Sequence, residues 1–174
     1  MLKIEGATLE NFKDIPSPCR YCLYWQTKGE YDQEMLKSER EKEKREWFKK
    51  VTSTSGPCIK TAYLNGKPIG FMQYAPAKFF PQVKEYTSEQ PSTEAVFIAC
   101  LFIIDKDDRG KGFGTAMLKG LLDDLKQRGF KVVETYARRS SAENPSGPLK
   151  LYLKHDFRAR NEENDFPLVH LELR

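Results

Sequence analysis

The chain has 174 residues, 39% of them hydrophobic and 31% charged, ordinary values for a soluble globular protein with room for one sizeable core. A net charge of +4 is too small to argue for a nucleic-acid partner, and no apolar run approaches the roughly 18 residues of a membrane span. The N-terminal MLKIEGATLE lacks the charged-then-apolar layout of a secretion signal, and the four cysteines are unevenly spaced, so a cytoplasmic protein in a reducing compartment is expected, without membrane or nucleic-acid partners.

In chain order, Leu2 to Leu9 reads as a short strand, and Thr8 to Ile15 as a turn or helical piece ended by Pro16 and Pro18. Cys19 and Cys22 form a C-x-x-C among Tyr21, Tyr24 and Trp25. A closed zinc site would need two more ligands, and Cys58, Cys100, His155 and His170 are not paired in spacing, so aromatic packing is favoured over a metal or a redox pair. Tyr31 to Val51 predicts a long charged helix, started by Glu30, Asp32 and Glu34 and braced by Glu41 with Arg45 and Glu46 with Lys50. Its seven basic residues are offset by six acidic ones, which favours a solvated face over a nucleic-acid surface.

Ile59 to Tyr74 predicts a hairpin turning at Asn65-Gly66, with Pro68 at an exposed hydrogen-bonding position. Ala75 to Ser92 loses periodicity, gains three prolines, and is expected as a long loop. Ala95 to Ile104 carries no charge and predicts a strand buried on both faces. Next come the turn Arg109 to Gly114, R-G-K-G-F-G, and a helix with Leu118, Leu121, Leu122 and Leu125 on one face, closed by Gly129. Phe130 to Ala137 is expected as a strand parallel to Ala95–Ile104. Pro148 opens a second helix, PLKLYLKH, capped by Ser146 or Gly147, and Val169, Leu171 and Leu173 alternate in a last half-buried strand. No repeat or linker divides the chain, so one domain over residues 1–174 is expected.

Strand, glycine turn and helix in that order set unpaired amides at a helix N-terminus, where the dipole adds positive potential. Gly110, Gly112 and Gly114 can turn their amides toward a diphosphate, with Arg109 and Lys111 adding charge. A tight connection that binds nothing is the alternative. The Walker pattern is absent, and the third glycine comes too early for the dinucleotide fingerprint.

Arg109 to Gly114 resembles the [RQ]-x-x-G-x-[GA] signature of the GNAT superfamily of acetyl-CoA-dependent N-acetyltransferases, and Leu151-Tyr152 through Phe157 resembles that family's downstream L-Y-x-x-x-G-F. Asp156 stands at the usual glycine and Lys106 at a frequent proline. The resemblance covers mainly Ala95 to Phe157. It implies an α/β fold with a central mixed, mostly antiparallel sheet of about six to seven strands and helices on both faces.

It also implies acetyl-CoA as co-substrate, no metal, a small-molecule or peptide amine as acceptor, and leaves a homodimer open. Phe102, Ile103 and Ile104 would then pair with the pantetheine arm, and Arg109, Gly110, Lys111, Gly112, Phe113, Gly114 and Thr115 would hold the pyrophosphate, with Asn144 a further contact. A core-strand N–H would donate to the thioester oxygen. Tyr152 would protonate the departing thiolate, its alternative being a core tyrosine. Glu134 is the candidate base, with a solvated glutamate as its alternative. Cys100 is expected to pack as a small apolar residue. A protein of this fold that senses acyl-CoA without chemistry is the rival class, and a nucleic-acid-binding module is the other.

Overall fold

The structure is a computed structural model that describes residues 1–27, 34–141, 143–160 and 164–174. Seven strands form one sheet: β1 (Leu2–Gly6), β2 (Ile59–Leu64), β3 (Lys67–Pro76), β4 (Val96–Ile103), β5 (Val132–Tyr136), β6 (Arg158–Arg160) and β7 (Leu168–Glu172). Their spatial order is β1-β2-β3-β4-β5-β7-β6, antiparallel throughout except for β4 beside β5. The parallel pair is the one joined by a helical crossover, α2 (Phe113–Gln127), as the connection rule demands.

The sheet is covered on both faces. Met117, Leu118, Leu121 and Leu125 of α2 pack on one side against Val96, Ile98, Leu101 and Ile103 of β4. On the other, Phe48 and Val51 of α1 (Lys37–Ser55) join Trp25, Phe80, Phe97 and Tyr136. Alternation along β4 breaks once: Ala99 and Cys100 both enter the second cluster. The β3 register jumps at the same place, Tyr74 pairing with Ile98 and Gln73 with Cys100. Ala99 is thus the extra residue of a β-bulge, a device that bends a strand and ends pairing.

The hairpin turns as expected, with φ of 50° at Asn65 and 83° at Gly66. Pro68 falls at a register shift of β2 with β3, beyond the last β4 partner at Gly70. Gly129, at φ 82°, closes α2, and the N–H of Phe130 reaches back to the Leu125 carbonyl.

Several boundaries differ. Tyr31 and the acidic starters Glu30 and Asp32 lie outside the described residues. α1 begins at Lys37, where the Glu39 carboxylate accepts the Leu36 N–H at 3.0 Å, and runs past Val51 to Ser55. In this added turn the Ser53 and Thr54 hydroxyls bond back to the Lys50 carbonyl. The pair Glu41–Arg45 is present at 3.0 Å, but Glu46 takes Lys49 instead of Lys50. The expected loop after Ala75 continues β3 to Pro76 and then makes two short 3-10 turns, Ala77–Phe79 and Pro81–Glu85. Burial of Phe80 and Val83 holds these turns, a signal with no period. The short helix α3 (Leu149–Leu153) is capped by Pro148 itself, with no side-chain cap from Ser146 or Gly147. β6 has only three residues and no apolar alternation to announce it.

Lys44 of α1 is buried at 2% exposure, its Nζ donating to the Cys22 carbonyl at 2.8 Å. Burial holds this amine below the usual lysine range. The unfolded chain therefore binds a proton there more tightly than the folded one, so this residue's cost to stability shrinks as pH rises toward the ordinary value of about 10.4. Lys44→Met is expected to raise the melting temperature at neutral pH, by a margin that narrows as the pH rises toward the ordinary lysine value of about 10.4. Parallel melts of the two proteins across pH measure it.

Candidate active site

The bulge in β4 creates an opening. β4 and β5 pair only through Val96 with Val133 and Phe97 with Glu134, and beyond that point side chains and a loop take over. The Thr135 hydroxyl donates to the Ile98 carbonyl at 2.7 Å, and the Leu101 N–H donates to the Pro145 carbonyl at 2.8 Å. The segment Asn144 to Gly147 thus lies along the exposed side of β4. Two cavities flank it, and Asn144 lines both.

The smaller cavity, of about 360 Å³, follows the end of β4 and the glycine turn. Phe102, Ile103, Arg109, Gly110, Gly112, Gly114, Thr115 and Asn144, all expected at a coenzyme site, line it. Ile104, Lys111 and Phe113 do not. The Ile104 N–H is committed to the Ile69 carbonyl on the β3 side, the Lys111 ammonium turns to Asp108 at 3.2 Å, and the Phe113 ring packs toward the core. Sequence reasoning missed Leu101, Asp108, Gly147, Pro148, Lys150, Leu151 and Lys154. The two lysines stand one helical turn apart and bring positive charge to the groove. Their signal, two cations four residues apart beside the signature, was present but shared with any exposed helix.

Gly110 and Gly112 have φ of 75° and 84°, and an added Cβ at either would meet nothing within 4 Å. Their glycines are required by backbone conformation, not by space. Gly112 caps α2, whose first bond from this turn runs from the Ala116 N–H to the Gly112 carbonyl, so the amides of Phe113, Gly114 and Thr115 precede it. Arg109 Nε and Nη2 donate to the carbonyls of Ile103 and Ile104 at 2.9 and 3.1 Å, and its guanidinium lies over the Phe102 ring at 4.7 Å. It clamps turn to strand. The amides of a 15-residue helix, an open glycine backbone and flanking cations fit a diphosphate.

The larger cavity, of about 670 Å³, lies beyond the seam and is walled by Tyr24, Trp25, Tyr86 and Phe166, with Cys100 of the bulge also exposed to it. Burial pushes the Cys100 thiol far above its ordinary range, which keeps it protonated and a poor nucleophile. Cys22 also reaches this wall, while Cys19 is buried and its thiol is pushed up to about 12. Among the described residues no three His, Cys, Asp or Glu side chains are grouped to hold a metal.

Tyr152 of α3 is fully buried. Its hydroxyl donates to the Ser146 carbonyl at 2.7 Å, in the very loop that separates the cavities, and its ring meets Phe157 edge-on at 5.2 Å. A Cβ on Gly147 would come within 3.1 Å of that hydroxyl, so glycine is needed there for the approach as well as for φ of 87°. Burial raises the phenol above its usual range, so it stays protonated through neutral pH.

Glu134 is also fully buried, and like Tyr152 it lines neither cavity. Its Oε2 accepts the Ser92 N–H at 2.7 Å and its Oε1 meets His170 Nδ1 at 2.8 Å. The expected solvated alternative is thereby excluded.

A split parallel pair, a glycine turn that opens a helix and a second cavity across the seam make up the candidate site. The acetyltransferase (GNAT) family matches residues 12–157, and the chain belongs to that family. No curated protein matches the sequence. Solved structures match over almost their whole length. PaiA N-acetyltransferase from Thermoplasma acidophilum, in complex with coenzyme A, is 16% identical, with a TM-score of 0.61 and 99% of each chain covered. An N-acetyltransferase from Staphylococcus aureus Mu50 is 19% identical, with a TM-score of 0.63 over 100% of this chain and 99% of that one. YncA from Salmonella typhimurium, with its cofactor acetyl-CoA, is 15% identical, with a TM-score of 0.63 over 100% and 95%. At these identities the likeness is one of fold. The seven-stranded mixed sheet with helices on both faces agrees with the architecture the glycine signature implied. Among the described residues no helix is long and apolar enough to cross a membrane.

Proposed function

We propose that residues 1–174 form one cytoplasmic N-acetyltransferase domain that carries acetyl-CoA in the smaller cavity and passes the acetyl group directly to a primary amine entering the larger one. The observation that carries this reading is the seam itself: two cavities share Asn144, and the one buried phenol of α3 bonds the loop between them. Acetyl-CoA supplies an acyl carbon already activated as a thioester.

The chain supplies the rest. The amides at the start of α2, with Lys150 and Lys154, hold the diphosphate end, and Leu101 to Ile103 offer a strand edge beside it. The Leu101 N–H is the core-strand donor nearest the seam, available to an oxygen that gains charge once Pro145 releases it. Holding two reactants across one strand removes an entropic cost equivalent to effective molarities of about 10⁵ M or more. Tyr152 keeps a proton to deliver to a leaving thiolate.

For Glu134 we propose an anchoring role: it ties β5 to Ser92 and β7, and reaching an amine would require leaving both partners. Glu134→Gln is expected to lower the melting temperature while holding kcat within about threefold, because the base must be reachable from the acceptor. A fall in kcat of about a hundredfold, with a lost acidic limb in the pH profile, would restore it as the base.

Calorimetry with acetyl-CoA, followed by thiol release over an amine panel, tests the proposal. A pure sensor of acyl-CoA would bind and never turn over.

A further inference from the structure

We infer that the acceptor is a primary amine with a single positive charge and an aromatic body, bound in the larger cavity. The inference rests on the transferase reading above and adds the substrate class to it. At about 670 Å³ the cavity suits a small molecule, within the ordinary range of ligand pockets.

Its walls are rings locked against one another. Tyr86 is sandwiched between Trp25, at 5.5 Å and 11°, and Tyr136, at 4.3 Å and 2°. Phe166 meets Tyr86 edge-on at 5.6 Å and Tyr24 meets Trp25 edge-on at 5.2 Å, while the Tyr24 and Tyr86 hydroxyls share a hydrogen bond at 3.2 Å. Interlocked rings lose little side-chain freedom when a flat ligand enters, and with both faces of Tyr86 already covered they offer it ring edges and the half-exposed Tyr24 ring.

Charge narrows the class further. Among the described residues, the cavity wall includes one carboxylate, Glu85, and one cation, Arg138. Arg138 is already paired with Asp165 at 2.8 Å and laid over Phe166 at 4.7 Å. Against the described wall a polyamine or aminoglycoside would bring several ammonium groups to one carboxylate, leaving desolvated charge uncompensated. A monoamine has one charge, which Glu85 offsets on binding and which leaves as a proton to solvent water before the free amine attacks the thioester.

The test measures kcat/KM at saturating acetyl-CoA for tryptamine, tyramine and 2-phenylethylamine against hexylamine, spermidine, kanamycin and a methionine-initiated peptide. The arylalkylamines are expected to exceed each of the others by about tenfold or more. Tyr24, 37% exposed, can be changed without opening the core. Tyr24→Ala should raise the tryptamine KM about fivefold or more with the acetyl-CoA KM unmoved, and Tyr24→Phe, which keeps the ring, should retain the preference. Equal use of hexylamine, or preference for spermidine, kanamycin or the peptide, overturns this inference and leaves the transferase standing. Binding of acetyl-CoA with no turnover of any arylalkylamine also overturns it, whereas failure to bind acetyl-CoA at all removes the underlying reading instead.

Discussion

Tyr152→Phe is expected to cut kcat by about a hundredfold or more while moving the acetyl-CoA KM by less than about twofold. The ring keeps its edge contact with Phe157 and the fully buried packing of α3, so the substitution removes one hydroxyl and little else. That hydroxyl is the proton donor we propose for the leaving thiolate, and burial keeps it protonated well past the usual tyrosine range. The wild-type enzyme should accordingly show no alkaline loss of kcat attributable to this phenol below about pH 10. Loss of the bond to the Ser146 carbonyl should cost about 1–2 kcal/mol and several degrees of melting temperature. Stability and turnover are therefore read separately. Full turnover in a folded Tyr152→Phe protein would leave Tyr152 as core packing.

The paired substitution Gly110→Ala/Gly112→Ala is expected to weaken acetyl-CoA binding by about tenfold or more, with little effect on the sheet. Neither new methyl meets a neighbour, so steric filling is not the cause. The cost lies in the backbone: left-handed φ at both positions costs an L-residue about 1–2 kcal/mol each, and relaxing it turns the amides at the start of α2 away from the groove. Titration calorimetry measures the affinity, and an unchanged dissociation constant would move the diphosphate site elsewhere. Circular dichroism should show α2 intact, since Gly112 lies before its first residue.

How far the site was readable follows from how local each signal is. The glycine turn, the leucine face of α2 and the Asn65-Gly66 hairpin each depend on residues a few positions apart, and each was found in place. Ile104 at the strand end, and Lys111 and Phe113 of the glycine motif, miss the groove, because successive residues of a strand or turn point to different sides. Glu134 was expected in the strand beside the acetyl site, and it lies in β5, paired with Phe97 of β4. Its orientation, toward Ser92 and His170, depends on a strand more than thirty residues away.

The chain order of strand, glycine turn, helix, strand and tyrosine helix, all carried by neighbours in sequence, was enough by itself to point to the family and to the glycine groove. Only the folded structure decided the bulge at Ala99, the seam shared through Asn144, and the aromatic cavity assembled from Tyr24, Trp25, Tyr86 and Phe166. Backbone conformation is written in short-range chemistry, which a linear reading can follow. A cavity wall is written in which buried rings meet across the sheet, and no spacing along the chain encodes that.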